Sequence, residues 1–366
     1  MQTQTQQPIQ KSVEVSPKCP GCGANLSFTP ESGGLACGHC GNNVPVVSTP
    51  AMRFPLSELS EARGQQKWEQ THIFECKNCG ASEVVSSHEM ASFCAFCGSA
   101  SIIERSELSG LKPNAVIPFK IGKNSAKERL IAWAKKKLFA PSRFKKGASN
   151  KDIDGVYKPA FTFDSETSTQ YTGILSRVET YTVMINGRMV VQSRTVRFPV
   201  NGIYDQNFNN LMIQACDSIR QGELDKIQPF SPQNTKNFTN AYLFGFVAGQ
   251  HKRDGVACWQ EARGVMEKQI RSAILAGFPG TSVVSFNMRT SYKTASYRYV
   301  LIPVYVGHFN YKNKLYQFFV NGDTGKITGK TPVSPLRILS AVGIGLGILG
   351  GIVALIVLQM NGIIFS

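Results

Sequence analysis

Acidic residues are scarce in this chain. Only 24 Asp and Glu stand against 40 Lys and Arg in 366 residues, a formal net charge of +16 and a pI near 9.4. That imbalance points to an anionic partner, either nucleic acid or an anionic membrane surface. Histidine is rarer still, with five, and His72, His88, His251 and His308 have no acidic or metal-ligand neighbour at a recognisable spacing. There is no His-Glu-x-x-His, no Gly-x-Ser-x-Gly and no Walker phosphate loop, so the sequence gives no ground for a zinc protease, a serine hydrolase or a phosphate-loop NTPase. Gly322-Asp-Thr-Gly325-Lys326 is too short for such a loop and lacks the Ser or Thr after its lysine. It reads as a hairpin turn. The N-terminal residues 1–17 are rich in Gln, Thr and Ser and have no apolar stretch, which reads as a disordered lead-in and not as a signal peptide.

Cysteine is plentiful and unevenly placed. Eight of the ten lie in four Cys-x-x-Cys pairs: Cys19 and Cys22, Cys37 and Cys40, Cys76 and Cys79, Cys94 and Cys97. Fourteen residues separate the inner cysteines of each set, and a glycine (Gly23, Gly41, Gly80, Gly98) follows every second cysteine. Zn²⁺ needs four deprotonated soft ligands in a tetrahedron, and two Cys-x-x-Cys turns supply two sulfurs each. The pattern therefore predicts two zinc ribbons, two Zn²⁺ per chain and a reducing compartment. Iron is the alternative metal, although rubredoxin-like sites carry longer, aromatic-rich inserts. Between its outer cysteines the first set has one charged residue, Glu31, and the second has three, Lys77, Glu83 and Glu89, so neither looks built to grip phosphate. Cys216 and Cys258 stand alone and read as small buried hydrophobes.

Positive charge concentrates in residues 112–158, where thirteen Lys and Arg face three Asp and Glu. A helix is expected at its centre, opened by a Ser125/Glu128 capping box and stopped by Pro141, with Leu130, Ile131, Ala134 and Leu138 as its apolar face. Lys135, Lys136, Lys137, Arg143, Lys145 and Lys146 are the candidate contacts to an anionic partner. Trp133, Phe139 and Phe144 interleave with them, as stacking on single strands would use. Anionic lipid would suit the same basic residues, and a solvated face with its aromatics turned inward is the plain alternative.

Beyond residue 155 the period changes to that of strands. Tyr181-Thr-Val-Met-Ile185, Asn186-Gly187 and Arg188-Met-Val-Val-Gln192 predict a hairpin with a type I′ turn. A helix is expected over residues 254–276 and strands over 282–328. Residues 338–358 are twenty-one without a charge, enough to cross about 30 Å of hydrocarbon. Lys326, Lys330 and Arg337 precede that run and no Lys or Arg follows, which predicts a single-pass tail anchor in the cell membrane with the bulk of the chain cytoplasmic. Gly343, Gly347 and Gly351 share one face of it, the small-xxx-small spacing of a possible helix-dimer face and hence a homodimer.

The fold class expected is α+β, in seven parts: lead-in 1–17, zinc ribbon 18–44, linker with a short helix 45–73, zinc ribbon 74–104, basic helical connector 105–158, mainly antiparallel α+β domain 159–334, and transmembrane helix 336–358. Three stretches carry a resemblance to prokaryotic proteins with zinc ribbons of the transcription factor IIB type. They are Cys19–Ala24 with Cys76–Ala81, then Gly155-Val-Tyr-Lys-Pro-Ala-Phe-Thr-Phe163, and Leu301-Ile-Pro-Val-Tyr305 leading to Val320-Asn-Gly-Asp-Thr-Gly-Lys326. Members similar to this chain are often labelled as relatives of the primosomal replication helicase, but the phosphate loop a helicase needs is missing here. The resemblance implies zinc on the eight cysteines and the order ribbon, β domain, anchor. The function expected is a non-enzymatic, membrane-held scaffold that docks a protein partner. A nucleic-acid tether through residues 112–158 is the alternative.

Overall fold

The computed structural model describes residues 18–60, 71–78, 81–86, 94, 99, 102–105, 111–150, 153–216, 219–312 and 314–360. The expected lead-in 1–17 and most of the expected helix after residue 59 lie outside them.

Three short strands, β1 (Leu26–Thr29), β2 (Gly34–Cys37) and β3 (Asn43–Pro45), form an antiparallel sheet of their own. Leu26 and Phe28 alternate inward along β1, as a half-buried strand requires. Five more short strands follow: β4 (Phe54–Pro55), β5 (Thr71–Cys76), β6 (Ser82–Ser86), β7 (Ile102–Arg105) and β8 (Ala115–Val116). Helices α1 (Lys123–Lys135) and α2 (Ser142–Asn150) then pack side by side and lead into the largest feature of the molecule.

That feature is a pair of very long strands, β9 (Asp154–Ile185) and β10 (Arg188–Gln214), in one antiparallel hairpin. At about 3.3 Å per residue, β9 extends for about 100 Å. The turn is the one expected, because Asn186 at φ 50° and Gly187 at φ 75° are both left-handed, as type I′ demands. After α3 (Gln221–Ile227), β11 (Lys236–Asn237) and β12 (Val247–Gly249) comes α4 (Gly255–Ala276). It falls where expected, with the Asp254 carboxylate accepting from the Ala257 N–H at 2.8 Å. Then β13 (Ser282–Tyr311), β14 (Lys314–Asn321) and β15 (Ile327–Gly329) complete the sheet, and α5 (Pro335–Met360) ends the described chain.

β13 lies along β9 from Val306 opposite Asp154 to Ser282 opposite Ser176. At the base, β14, β8 and β4 flank β13, while β12 and then β10 flank β9. The sheet therefore tapers from a broad base to three strands, and beyond residue 176 to the two strands of the hairpin. Stripe residues Cys258, Ala262, Met266, Ile270 and Ile274 of α4, four apart, cover the middle against Phe161, Phe163, Tyr297 and Tyr299. The mixed α+β class is as expected.

Two local expectations fail. The Ser125/Glu128 capping box does not form: α1 begins at Lys123 with Gly122 at its N-cap, leaving Ser125 inside the helix. The preceding segment is pinned by Lys120 and Ile121 N–H groups on the Gly322 carbonyl, so tertiary bonds choose the start. Pro141 does not merely stop a helix, since the N–H groups of Phe144 and Lys145 bond its carbonyl and it starts α2. Of the expected apolar face, Leu130 and Ala134 are buried, but Leu138 lies past the helix end and is 74% exposed.

Candidate metal centre

The sulfurs of Cys19, Cys22, Cys37 and Cys40 all lie within 4.8 Å of one another. Cys19 Sγ and Cys40 Sγ are 3.5 Å apart, as are those of Cys22 and Cys37. A tetrahedron with Zn–S bonds of about 2.3 Å has edges of about 3.8 Å, so the four residues present fit a zinc ion. Two matching turns make the cage. Cys19 N–H donates to Ala24 O at 2.7 Å and Cys37 N–H to Asn42 O at 2.8 Å, while Gly23 and Gly41 N–H close back on Cys19 O and Cys37 O. Gly23 at φ 75° and Gly41 at φ 73° take the left-handed backbone that a side chain would strain.

The thiols are already biased. Burial opposes ionisation of Cys19, but the Gly21 and Cys22 N–H groups, with Cys40 and Asn42, outweigh it and bring that thiol down to about 6. The N–H groups of Cys40 and His39 lower Cys37. The Ala24 N–H eases ionisation of Cys22, yet the crowding sulfurs of Cys37 and Cys40 push it up to about 12. Four sulfurs this close carry their charges together only around a cation.

In the second set, Cys79 and Cys97 lie outside the described residues. Cys76 and Cys94 are buried, and their backbones repeat the same bond: Cys76 N–H to Ala81 O at 2.9 Å and Cys94 N–H to Ser99 O at 2.8 Å. All four pairs thus share one donor-to-fifth-residue hydrogen bond. Neither set hangs free. Leu26, Phe28 and Leu35 share a core with Phe119, Tyr157, Tyr242 and Phe244, and Cys76 and Cys94 share another with Val156, Val304 and Phe319.

The basic residues form a corner between α1 and α2. Lys135, Lys136, Arg143 and Lys146 are exposed. Lys137 places Nζ 4.7 Å from the Trp133 ring centre, and Lys145 donates from Nζ to the Lys135 carbonyl at 3.0 Å. Two of the three interleaved aromatics turn inward. Phe144 is fully buried against Phe309 and Phe318, and Trp133 packs on Phe318; only Phe139 is exposed. The corner also holds the start of α5 through hydrogen bonds from Ser334 and Arg337. Pro335–Val357 of α5 is long and apolar enough to cross a membrane, and none of it is buried. Gly343, Gly347 and Gly351 lie on its exposed surface.

One cluster gave no signal in the sequence, because its members are far apart along the chain. Buried Asp164 accepts from Asn210 N–H at 2.7 Å and pairs with Arg53 Nε at 3.2 Å and Arg298 Nη2 at 4.0 Å. Asn210, at φ 55°, sits where the β9–β10 register shifts between Phe208 and Leu211, so the cluster braces a bend in the ribbon. A cavity of about 260 Å³ lies beside it, and its lining contains no His, Cys, Lys or carboxylate. Lone Cys258 is buried, which pushes its thiol up to about 12, and Cys216 is buried too.

A Bacillus subtilis (strain 168) protein, named as the uncharacterised protein YdjG, is 31% identical to this chain over 357 residues, 95% of the chain and 99% of its own length. No protein-family model matches the chain, and no solved structure matches it.

Proposed function

The chain belongs to the same family as the Bacillus subtilis protein YdjG, and from that premise we propose that it is a membrane-anchored, zinc-stabilised scaffold, non-enzymatic, that holds out a long β-ribbon to a protein partner. On this reading Zn²⁺ fills both four-cysteine sets as transcription factor IIB-type ribbons, and the metal fixes the broad base of the sheet. α5 crosses the bilayer once. Lys330, Arg337 and the basic corner lie at one end of α5, which by the positive-inside rule supports a cytoplasmic position for the bulk of the chain.

The observation that carries the proposal is the far end of the ribbon. Beyond Ser176 the described residues give it two strands, and Val178, Met184, Met189 and Val191 on one face are 67–77% exposed. Val183, Ile185 and Val190 add apolar surface on the other. Contiguous exposed apolar surface marks a contact site, and methionine adapts to varied partners.

The test compares full-length protein recovered from membranes with a Met184→Ser/Met189→Ser/Val191→Ser variant. A scaffold is expected to keep a defined partner set through high salt and nuclease, and the variant to lose it. Partners that vanish on nuclease treatment would instead support a nucleic-acid tether, and partners retained by the variant would remove the ribbon from the account.

A further inference from the structure

The twelve residues from Lys135 to Lys146 contain six basic residues and no Asp or Glu. Charge alone does not name a partner, but the place of this charge does. Ser334 N–H donates to the Phe139 carbonyl at 2.8 Å. The Arg337 guanidinium donates to the Leu138 carbonyl at 3.1 Å and to Ser142 Oγ at 2.7 Å. The corner is thereby hydrogen-bonded to the first turn of α5. From Ser334 to Ile338, where the uncharged run begins, the helix rises only about 6 Å. The basic corner is thus held against the turn that precedes the apolar run.

The apolar residues there agree. Leu138 is 74% exposed and Phe139 43% exposed, on a corner where Phe144 is buried and Trp133 half-buried. An exposed Leu-Phe pair ringed by lysines beside an apolar span matches the boundary between headgroups and acyl chains. Nucleic acid fits less well. Phe144 and Trp133, the rings that bases would stack on, are packed against Phe309 and Phe318. A strand approaching the corner would also meet the headgroup phosphates first.

We propose that the α1–α2 corner docks on anionic phospholipid headgroups of the bilayer that α5 crosses, with Leu138 and Phe139 entering the headgroup boundary. This rests on α5 being a membrane span. Lys135, Lys136, Arg143 and Lys146 supply the exposed charges, and Arg337 ties corner and anchor into one rigid collar. The charges are mostly lysines spread over a turn and two helix ends, which suits a field of anionic headgroups more than one bidentate ligand. The collar would fix how the base of the β-ribbon meets the membrane.

The experiment uses the full chain with its zinc, reconstituted into vesicles of phosphatidylcholine alone or of phosphatidylcholine with phosphatidylglycerol. A water-soluble acylating reagent labels lysines, and peptide mass spectrometry reads each rate. Lys135, Lys136 and Lys146 are expected to react about tenfold more slowly in the anionic vesicles, with high salt restoring the rate. Exposed Lys268 on α4 serves as the control and is expected not to change. A Lys136→Gln/Arg143→Gln/Lys146→Gln variant, checked for unchanged zinc content, is expected to lose the protection at Lys135. Equal rates in both vesicles, with the chain resisting alkaline carbonate extraction, would overturn the lipid site and leave the anchor standing. Extraction by carbonate would overturn both. Protection by an added oligonucleotide or by inorganic phosphate in neutral vesicles, without any effect of anionic lipid, would assign the corner to that anion instead.

Discussion

The backbone N–H of Phe28 donates to the carbonyl of Phe244 at 2.8 Å, so the sheet beside the four-cysteine cluster is stitched by a main-chain bond to the segment leading into β12. The Phe28 ring meets Tyr242 edge-on at 5.2 Å, and Gly245, which follows Phe244, is left-handed at φ 83° with Ser27 beside it. The ribbon is thus part of the wall of a core. A metal held by the four cysteines would therefore also support that shared core.

Two zinc ions per chain are expected by elemental analysis, falling to one in a Cys22→Ser/Cys40→Ser variant. Structural zinc is worth about 10 kcal/mol or more in small ribbons, comparable with the about 5–15 kcal/mol that holds a whole domain together. Chelation is therefore expected to lower or abolish the main thermal transition. A chelated protein that melts unchanged, or iron in place of zinc, would contradict this. Acid is expected to mimic chelation, because protons compete with zinc for the sulfurs as pH falls.

Asp164→Ala is expected to destabilise the chain by about 3–5 kcal/mol, since it leaves the buried Arg298 guanidinium without its counter-charge. Both side chains are only 7% exposed. Arg53→Ala, whose side chain is 48% exposed, removes a pair worth about 0–1 kcal/mol. Denaturation of the two variants side by side checks the ordering, and an equal loss in both would show that the brace is not centred on Arg298.

Phe144→Ala is expected to cost about 3–5 kcal/mol as a fully buried aromatic. Phe139→Ala, on the exposed side of the same corner, is expected to change stability by about 0.5 kcal/mol or less in detergent. If Phe144→Ala proves neutral, the corner is not packed on Phe309 and Phe318 and the aromatics are free to meet a ligand.

His251 contributes a pH dependence of known sign. Burial lowers its pKa below the ordinary 6.5, against a smaller opposing pull from Asp254, and its Nδ1 lies 3.2 Å from the Tyr299 hydroxyl. The folded chain prefers the neutral ring and the unfolded chain protonates more readily. The stability it contributes is therefore complete above about 6.5 and lost as pH falls from there through the folded value. His251→Gln is expected to flatten that part of the stability–pH curve, and an unchanged slope would assign the acid sensitivity elsewhere.

Signals that live within a few residues were legible. Cys-x-x-Cys-Gly turns close on their own backbone, Asn186-Gly187 selects its turn by φ alone, and the helix expected over residues 254–276 falls within one residue of α4. The uncharged run of α5 needs no partner to be recognised. What misled was local reasoning at Ser125, where the bonds from Lys120 and Ile121 to Gly322 set the start of α1, and at Pro141, whose carbonyl takes the Phe144 and Lys145 N–H groups and opens α2.

By itself the sequence determined the first four-cysteine cluster, the hairpin, the principal helix and the apolar span, because each rests on spacing, backbone conformation or composition over a short stretch. Only the tertiary structure decided that β9 runs for 32 residues, that both cysteine sets face shared cores, that Asp164 meets Arg298, and that the basic corner grips the base of α5. Those are meetings between residues far apart along the chain. They follow from which surfaces bury each other, and no local pattern records that.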